Sequence, residues 1–383
     1  MRTNVSTKRS GRRVVIVVRE HRDGRVVKTR RKAIRPTAGE RNRLRLVMRS
    51  PRARPRYTVR MVTRPLGPGD GYLLSRVRWV HHELDQPASD PDSTRQQLSN
   101  GCAYSSRGIP ACGAYLGQTY GANQDPAEFE RNLGRRLGVH RLFYRADQVA
   151  SAVTMARQDL ASGRLPWVSF KLPHSWGAMA AGQGDAWARD LAQRFAQLDG
   201  PVWLAFHHEP EYDGDIVEWR QMQERLGPIV RSGGTNLGFS VIVTGYHQFY
   251  GEEQFHLDNM WPRGIKVDVA GFDIYNQYGV VKDGEENTTG TDLDAWYFSK
   301  IRPWAEKEGV AWGLGETGYT DKAAERDPGW IRRTHRELEA AGGVAFAYFN
   351  TTLNSIAPWT LDTPAKIEAW RQAQVGTPLL PRP

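Results

Sequence analysis

The sequence predicts a TIM-type (β/α)8 barrel preceded by a small basic β-rich module, and three observations carry that expectation. Eight short apolar runs recur between residues 112 and 350, with stretches of helical periodicity between them. Strands alternating with helices indicate parallel βα units, and eight such units suit a single barrel. Charge divides the chain as well: residues 1–100 hold 25 Lys and Arg against 8 Asp and Glu, a net +17, while the remaining 283 hold 28 against 34, a net −6. Such asymmetry marks a basic module joined to a mildly acidic body. No apolar run approaches the ~20 residues that span a bilayer.

The module is assigned to residues 1–84. "RRVVIVVREHRDGRVVKTRR" sets two β-branched runs around Asp23-Gly24, a strong hairpin signal; "RPRYTVRMVTRP" (54–65) alternates as a strand, and "YLLSRVRWV" (72–80) continues the pattern. Its arginines supply phosphate affinity independent of sequence but lack the interleaved aromatics of single-strand binders. The module is therefore expected to anchor the chain to a polyanion or a larger assembly. The run "VVIVV" (14–18) ends at Arg19 and Glu20, so no signal peptide is expected. Residues 85–100, polar and aperiodic with two prolines, read as a linker. Residues 101–383 remain for the barrel. Cys102 and Cys112 suit either a bridge closing a short loop or two reduced thiols, and are too few for a zinc site.

Barrel strands are expected at 112–118, 138–145, 165–172, 201–208, 237–245, 267–275, 310–317 and 343–350. Their continuous apolar character, plainest in "PVWLAFHH" and "LGFSVIVTG", is that of strands covered on both faces. Helices are expected at 126–137, 147–162, 185–198, 215–231, 292–308 and 327–341.

In such a barrel catalytic groups sit at the C-terminal ends of the strands. The fourth run ends in His207, His208, Glu209, Pro210 and Glu211. The other ends offer Arg145 (second), Trp176 (after the third), Tyr246 (fifth), Asp273 and Tyr275 (sixth), Glu316 (seventh) and Asn350 (eighth). Glycoside hydrolysis needs one carboxylic acid to protonate the leaving oxygen and one carboxylate to attack or to activate water. Glu209 and Glu316, on strands four and seven, would face each other across the mouth. Trp176, Trp219 and Tyr246 suit the apolar faces of sugars; His208, Arg145, Asp273 and Asn350 suit their hydroxyls. Glu211 competes with Glu209 for the acid role, or contacts substrate. Asp273 suits a loop cap as well as a site, Tyr275 a core position, and Trp176 and Trp219 helix packing. Adjacent histidines on a strand point to opposite sides, so His207-His208-Glu209 does not read as a metal site, and neither metal nor cofactor is expected. The tripeptide recurs at 81–83 in the basic module, so position rather than composition singles out 207–209.

Glu at the end of strand four and Glu at the end of strand seven resembles the arrangement of the clan A retaining glycoside hydrolases. Within that clan, His208-Glu209 after an apolar strand resembles the His-Glu of glycoside hydrolase family 26, which includes β-mannanases. Tyr275 in "GFDIYN" and Glu316 in "GLGETG" look like that family's strand-six tyrosine and its nucleophile segment. The resemblance covers roughly 112–370. It implies Glu209 as acid/base, Glu316 as nucleophile and a hydrogen bond from Tyr275 to the nucleophile. Two departures stand out: Ala-Phe-His-His-Glu replaces the usual Arg-Pro-x-His-Glu, and Tyr348-Phe349-Asn350 ends strand eight without the usual tryptophan.

The expectation is thus a retaining, endo-acting glycosidase for a β-linked polysaccharide, a mannan-type or cell-surface glycan first, working outside the cell or on a virion. The competing class is a non-catalytic carbohydrate-binding or adhesion barrel, such as a virion tail component. A second competitor is a nucleic-acid-bound protein led by its basic module.

Overall fold

The computed structural model describes residues 96–382 in full and, before them, the backbone of six strands. The chain divides into two compact units, Met1–Thr94 and Arg95–Pro383. In the first, Val14–Arg22 pairs antiparallel with Arg25–Ile34 on one side and Arg56–Val62 on the other. Arg2–Thr7 lies between Asn42–Arg45 and Tyr72–Arg78 in a second three-stranded sheet. The Asp23-Gly24 turn, His81 to Glu83 and residues 85–95 of the expected linker lie outside the described residues.

The second unit is a closed barrel of eight parallel strands in sequence order. They are β1 (Tyr115–Tyr120), β2 (Val139–Tyr144), β3 (Leu165–Phe170), β4 (Val202–Phe206), β5 (Leu237–Val243), β6 (Val269–Asp273), β7 (Ala311–Thr317) and β8 (Ala345–Asn350). Every expected strand is present, and β8 closes on β1 through pairs such as Tyr348 with Gln118. The connecting helices are α1 (Ala127–Leu133), α2 (Val149–Ala161), α3 (Asp185–Ala196), α4 (Ile216–Gly233), α5 (Tyr246–Tyr250), α6 (Ser299–Glu308), α7 (Trp330–Ala340) and α8 (Pro364–Ala373). Local chemistry fixes their starts. Asp215 accepts the Val217 and Glu218 amides to cap α4, and Thr363 caps α8 with proline in its first turn.

The N-terminal mouth is plugged by the segment before β1. The Arg107 carbonyl accepts the Trp203 indole N–H at 2.8 Å, and the Gly108 carbonyl accepts the Tyr115 hydroxyl at 3.1 Å. Leu98 is buried, and the Leu379 amide donates to Ser99 Oγ at 2.9 Å, fastening the C-terminal tail to this segment. Cys102 and Cys112 are joined in a disulfide, which decides between the two readings of that pair. Above the plug, Tyr115, Trp167 and Trp203 fill the barrel floor edge to face. The bottom is packed and the C-terminal mouth is left for chemistry. Among the described residues no helix is long and apolar enough to cross a membrane.

Candidate active site

The buried run of β4 ends in an unusual backbone. His207, Glu209 and Tyr212 all take positive φ, at 44°, 49° and 68°, a region that costs a residue with a side chain on the order of 1 kcal/mol or more. The surroundings hold it there. The Gln223 amide donates to the Phe206 carbonyl at 2.7 Å, the Trp219 indole to the His207 carbonyl at 2.9 Å, and the Glu209 amide to the Ile242 carbonyl at 3.1 Å. Glu211 accepts from the Thr244 amide at 3.2 Å and from the Gln248 side chain, pinning the segment to the loop after β5.

The two histidines part as expected, though not by strand alternation: both lie past the end of β4, and His207 takes a positive φ. His207 turns toward Asp213, with Nε2 and Oδ2 2.9 Å apart, and meets the ring of Trp176 edge-on at 4.8 Å. His208 packs on Phe143 and brings its Nε2 to 3.8 Å from Glu316 Oε1. Burial and the nearby Arg141 charge hold the His208 imidazole well below its usual range, so it is neutral.

Glu316 reaches the cleft through an irregularity in β7. Phe272 pairs with Leu314 but Asp273 pairs with Glu316, so Gly315 is an extra residue, and such bulges re-aim side chains beside active sites. A Cβ on Gly315 would lie 2.5 Å from Asp273 Oδ1, so a larger residue there would push the Asp273 carboxylate from its place. One oxygen from each of Glu209, Asp273 and Glu316 lies within 4.8 Å of the other two. The Tyr275 hydroxyl donates to Glu316 Oε2 at 2.7 Å.

Three close carboxylates cannot all ionise freely, and their surroundings separate them. Burial first, then the charges of Glu316 and Glu211, push Glu209 up to about 8. Burial also raises Glu316, but Arg141 and the Tyr275 hydroxyl oppose it. Asp273 is driven well above the ordinary carboxylate range by burial and by the other two. The arrangement therefore holds Glu209 protonated at neutral pH, while of the three acids Glu316 alone has its ionised form favoured by a side-chain hydrogen bond, from Tyr275; such separation of environments is what acid–base chemistry uses. The same three oxygens have the spacing to hold a cation, but Arg141 opposes one: its guanidinium is fully buried and electrostatically linked to all three acids.

The other expected residues are distributed around this centre. Trp176 backs His207. Asn350 bonds Gln118 at 3.3 Å and accepts the Leu361 amide at 2.8 Å, fastening the loop after β8. Arg145 lies on the rim, its side chain 71% exposed and paired with Asp147. Tyr246 stands on the rim after β5, 53% exposed. Two residues escaped the sequence reading. Arg141 sits mid-strand in β2, its guanidinium 4.3 Å from the Phe143 ring. Trp359, nine residues past the end of β8, lies against Tyr275 with ring centroids 4.9 Å apart, so a tryptophan does stand beside the strand-six tyrosine. A lone arginine inside the apolar run "VHRLFY" was the available signal for the first.

No family model matches the chain, and no curated protein matches it in sequence. Solved structures do match in fold. The endoglucanase Cel5A from the hyperthermophile Thermotoga maritima is 15% identical with a TM-score of 0.52, over 68% of this chain and 96% of that one. The cellulose synthase subunit Z (CcsZ) of Clostridioides difficile is 15% identical with a TM-score of 0.50, over 67% of this chain and 99% of that one. The likeness is one of fold. A GH26 β-mannanase from Bacteroides ovatus, 13% identical over 70% of this chain and 90% of that one, has a TM-score of 0.46, too low to bear on the question.

Proposed function

We propose that the chain is a retaining glycoside hydrolase acting on a β-linked polysaccharide. The observation that carries this reading is the close approach of Glu209 and Glu316 in different environments, burial and like charge holding the proton on Glu209 while Arg141 and the Tyr275 hydroxyl favour the ionised form of Glu316. Oxygens within 4.8 Å suit the ~5–5.5 Å carboxyl separation of a double displacement better than the ~6.5–9.5 Å that leaves room for a water in an inverting enzyme.

In the first step a Glu316 oxygen attacks the anomeric carbon while Glu209 gives its proton to the departing glycosidic oxygen. The products are a glycosyl ester on Glu316 and a free sugar hydroxyl. Esterification removes the Glu316 charge, the largest cause after burial that raises Glu209, so Glu209 ionises more readily than before. It then takes a proton from water as the water oxygen bonds the anomeric carbon, and the ester bond breaks to regenerate the Glu316 carboxylate. Two inversions give net retention. Tyr275 orients Glu316 through Oε2, and neutral His208 borders the other oxygen, Oε1. The first substrates to examine are mannan-type and cell-surface glycans, with β-glucans added because the Thermotoga neighbour is an endoglucanase.

Replacing Glu316 by Ala should abolish turnover, and azide should restore it with inverted product, read by the anomeric signals of the released sugar. Replacing Glu209 by Ala should cost roughly 10²–10⁴-fold on polysaccharide, the usual weight of a general acid. Aryl glycosides with good leaving groups should be spared in the first step. Wild-type activity in both variants sinks the proposal. Binding of glycans without turnover by the unaltered chain favours a carbohydrate-binding barrel instead.

A further inference from the structure

Four large aromatic side chains stand exposed on the catalytic face: Tyr212 at 62%, Tyr246 at 53%, Tyr250 at 43% and Trp296 at 42%. They come from three connections, those after β4, β5 and β6; Tyr212, Tyr246 and Tyr250 are linked ring to ring through His247, and Trp296 adjoins them through its backbone. The Tyr212 ring meets His247 at 5.1 Å, His247 meets Tyr246 at 5.2 Å, and Tyr246 meets Tyr250 at 5.9 Å. The Tyr250 hydroxyl then donates to the Trp296 carbonyl at 2.7 Å. The row begins in the strained segment that carries Glu209, three residues before Tyr212, and Glu211 ties that segment to the loop bearing Tyr246. Contiguous apolar surface left in water marks a binding site. Here the rings are edged by hydrogen-bonding groups of both signs: Glu252 accepts from Tyr212 at 3.1 Å, and the Lys300 ammonium lies 4.2 Å from the Tyr250 ring.

We infer that this row is an extended binding path for a neutral β-linked glycan chain, leading away from the Glu209–Glu316 centre across the loops after β4, β5 and β6. The inference deepens the glycoside hydrolase reading and rests on it. Tyr246 and Tyr250, inclined by only 31°, and the exposed Tyr212 and Trp296 rings to either side suit the apolar faces of successive sugar units, and the mixed-charge edges suit their hydroxyls. A polyanion would meet Glu252 beside Tyr212. A chain held along such a path is bound through several units, so the enzyme cuts within polymers and its affinity grows with chain length.

The test uses the full chain carrying Glu316→Gln, so that nothing is cleaved, titrated calorimetrically with cello- and manno-oligosaccharides from disaccharide to hexasaccharide. Affinity for at least one series should rise with length. Tyr250→Ala and Trp296→Ala, added singly, should each lower hexasaccharide affinity by about three- to tenfold, the scale of one aromatic contact. Both should leave disaccharide affinity unchanged. Tyr250→Phe, which keeps the ring and loses only its hydrogen bond to Trp296, should bind as the parent does, and matching thermal midpoints verify that the variants fold. Equal affinity for short and long chains, no binding of either series, or unaltered hexasaccharide affinity in both alanine variants overturns the path. Hydrolysis by the chain with Glu316 intact is read separately: length-dependent binding without cleavage would keep the path and discard the catalytic reading.

Discussion

Glu209 and Glu316 set the expected pH behaviour. The proposed mechanism needs Glu209 protonated and Glu316 ionised, so kcat/KM should be bell-shaped, with its alkaline limb near the Glu209 value of about 8. The acid limb reports Glu316, and Tyr275→Phe, which removes a hydrogen bond that lowers it, should move that limb upward. The same shift acts on stability. Because the folded state raises Glu209, it holds a proton that the unfolded chain releases near the ordinary glutamate value of about 4.3. Its stability is therefore complete below that pH and declines as pH rises toward about 8. Glu209→Gln, which cannot ionise, should raise the thermal midpoint at pH 8 and gain little at pH 4; an equal gain at both would show that ionisation is not the cause. That Glu209, Glu316 and Tyr275 come together was legible because strand ends of a closed barrel share one mouth. Arg141 was not. Between His140 and Leu142 on a strand buried on both faces, neither neighbour reveals which way a side chain points, and only the closed barrel turns Arg141 inward beneath the acids.

The segment after β4 does at the scale of an element what no single residue does. Two of its three positive-φ residues, His207 and Glu209, are kept in place by bonds from β3, β5 and α4, so Glu209 is held by its backbone. Glu211, which vied with Glu209 in the sequence, has one oxygen bound by Thr244 and Gln248, and a positioning role is proposed for it. Glu211→Ala should lower kcat on polysaccharide about tenfold, as a clamp worth one or two hydrogen bonds would, without changing how rate depends on the leaving group. An acid would change that dependence, so the leaving-group series separates the two roles. The strands were readable because burial on both faces leaves continuous apolar runs. Helices such as Trp176–Ala180 and Asp321–Arg326 were not, since five or six residues are too few for a 3.6-residue period to declare itself. Trp359 was missed for another reason: it lies on a loop that folds back over Tyr275, a distance sequence offset does not encode. The disulfide closes the plug under the barrel, where Cys102→Ser with Cys112→Ser should cost on the order of 2–3 kcal/mol for so short a loop. Thermal unfolding would register that loss while leaving the pH profile of catalysis in place.

For the whole molecule the decisive quantity is the division of charge. A net +17 on residues 1–100 and −6 on the rest give the two parts opposite relations to any polyanion. The proposed division of labour is that the basic strands localise the chain and the barrel does the chemistry. Limited proteolysis should cut between residues 85 and 95 and release a fragment that melts cooperatively and keeps turnover on soluble glycan; an unfolded fragment from a stable parent would refute the boundary. Binding then separates the parts. If arginines act through phosphate or similar charges, each neutralised phosphate adds about 0.9 to the slope of log affinity against log salt on duplex DNA. The full chain should therefore lose affinity steeply with added salt, and specificity for base sequence should be slight. The isolated barrel, carrying the opposite sign, should not bind DNA measurably under the same conditions. Equal binding by the barrel alone, or binding by the full chain that is indifferent to salt, would remove charge as the basis of anchoring.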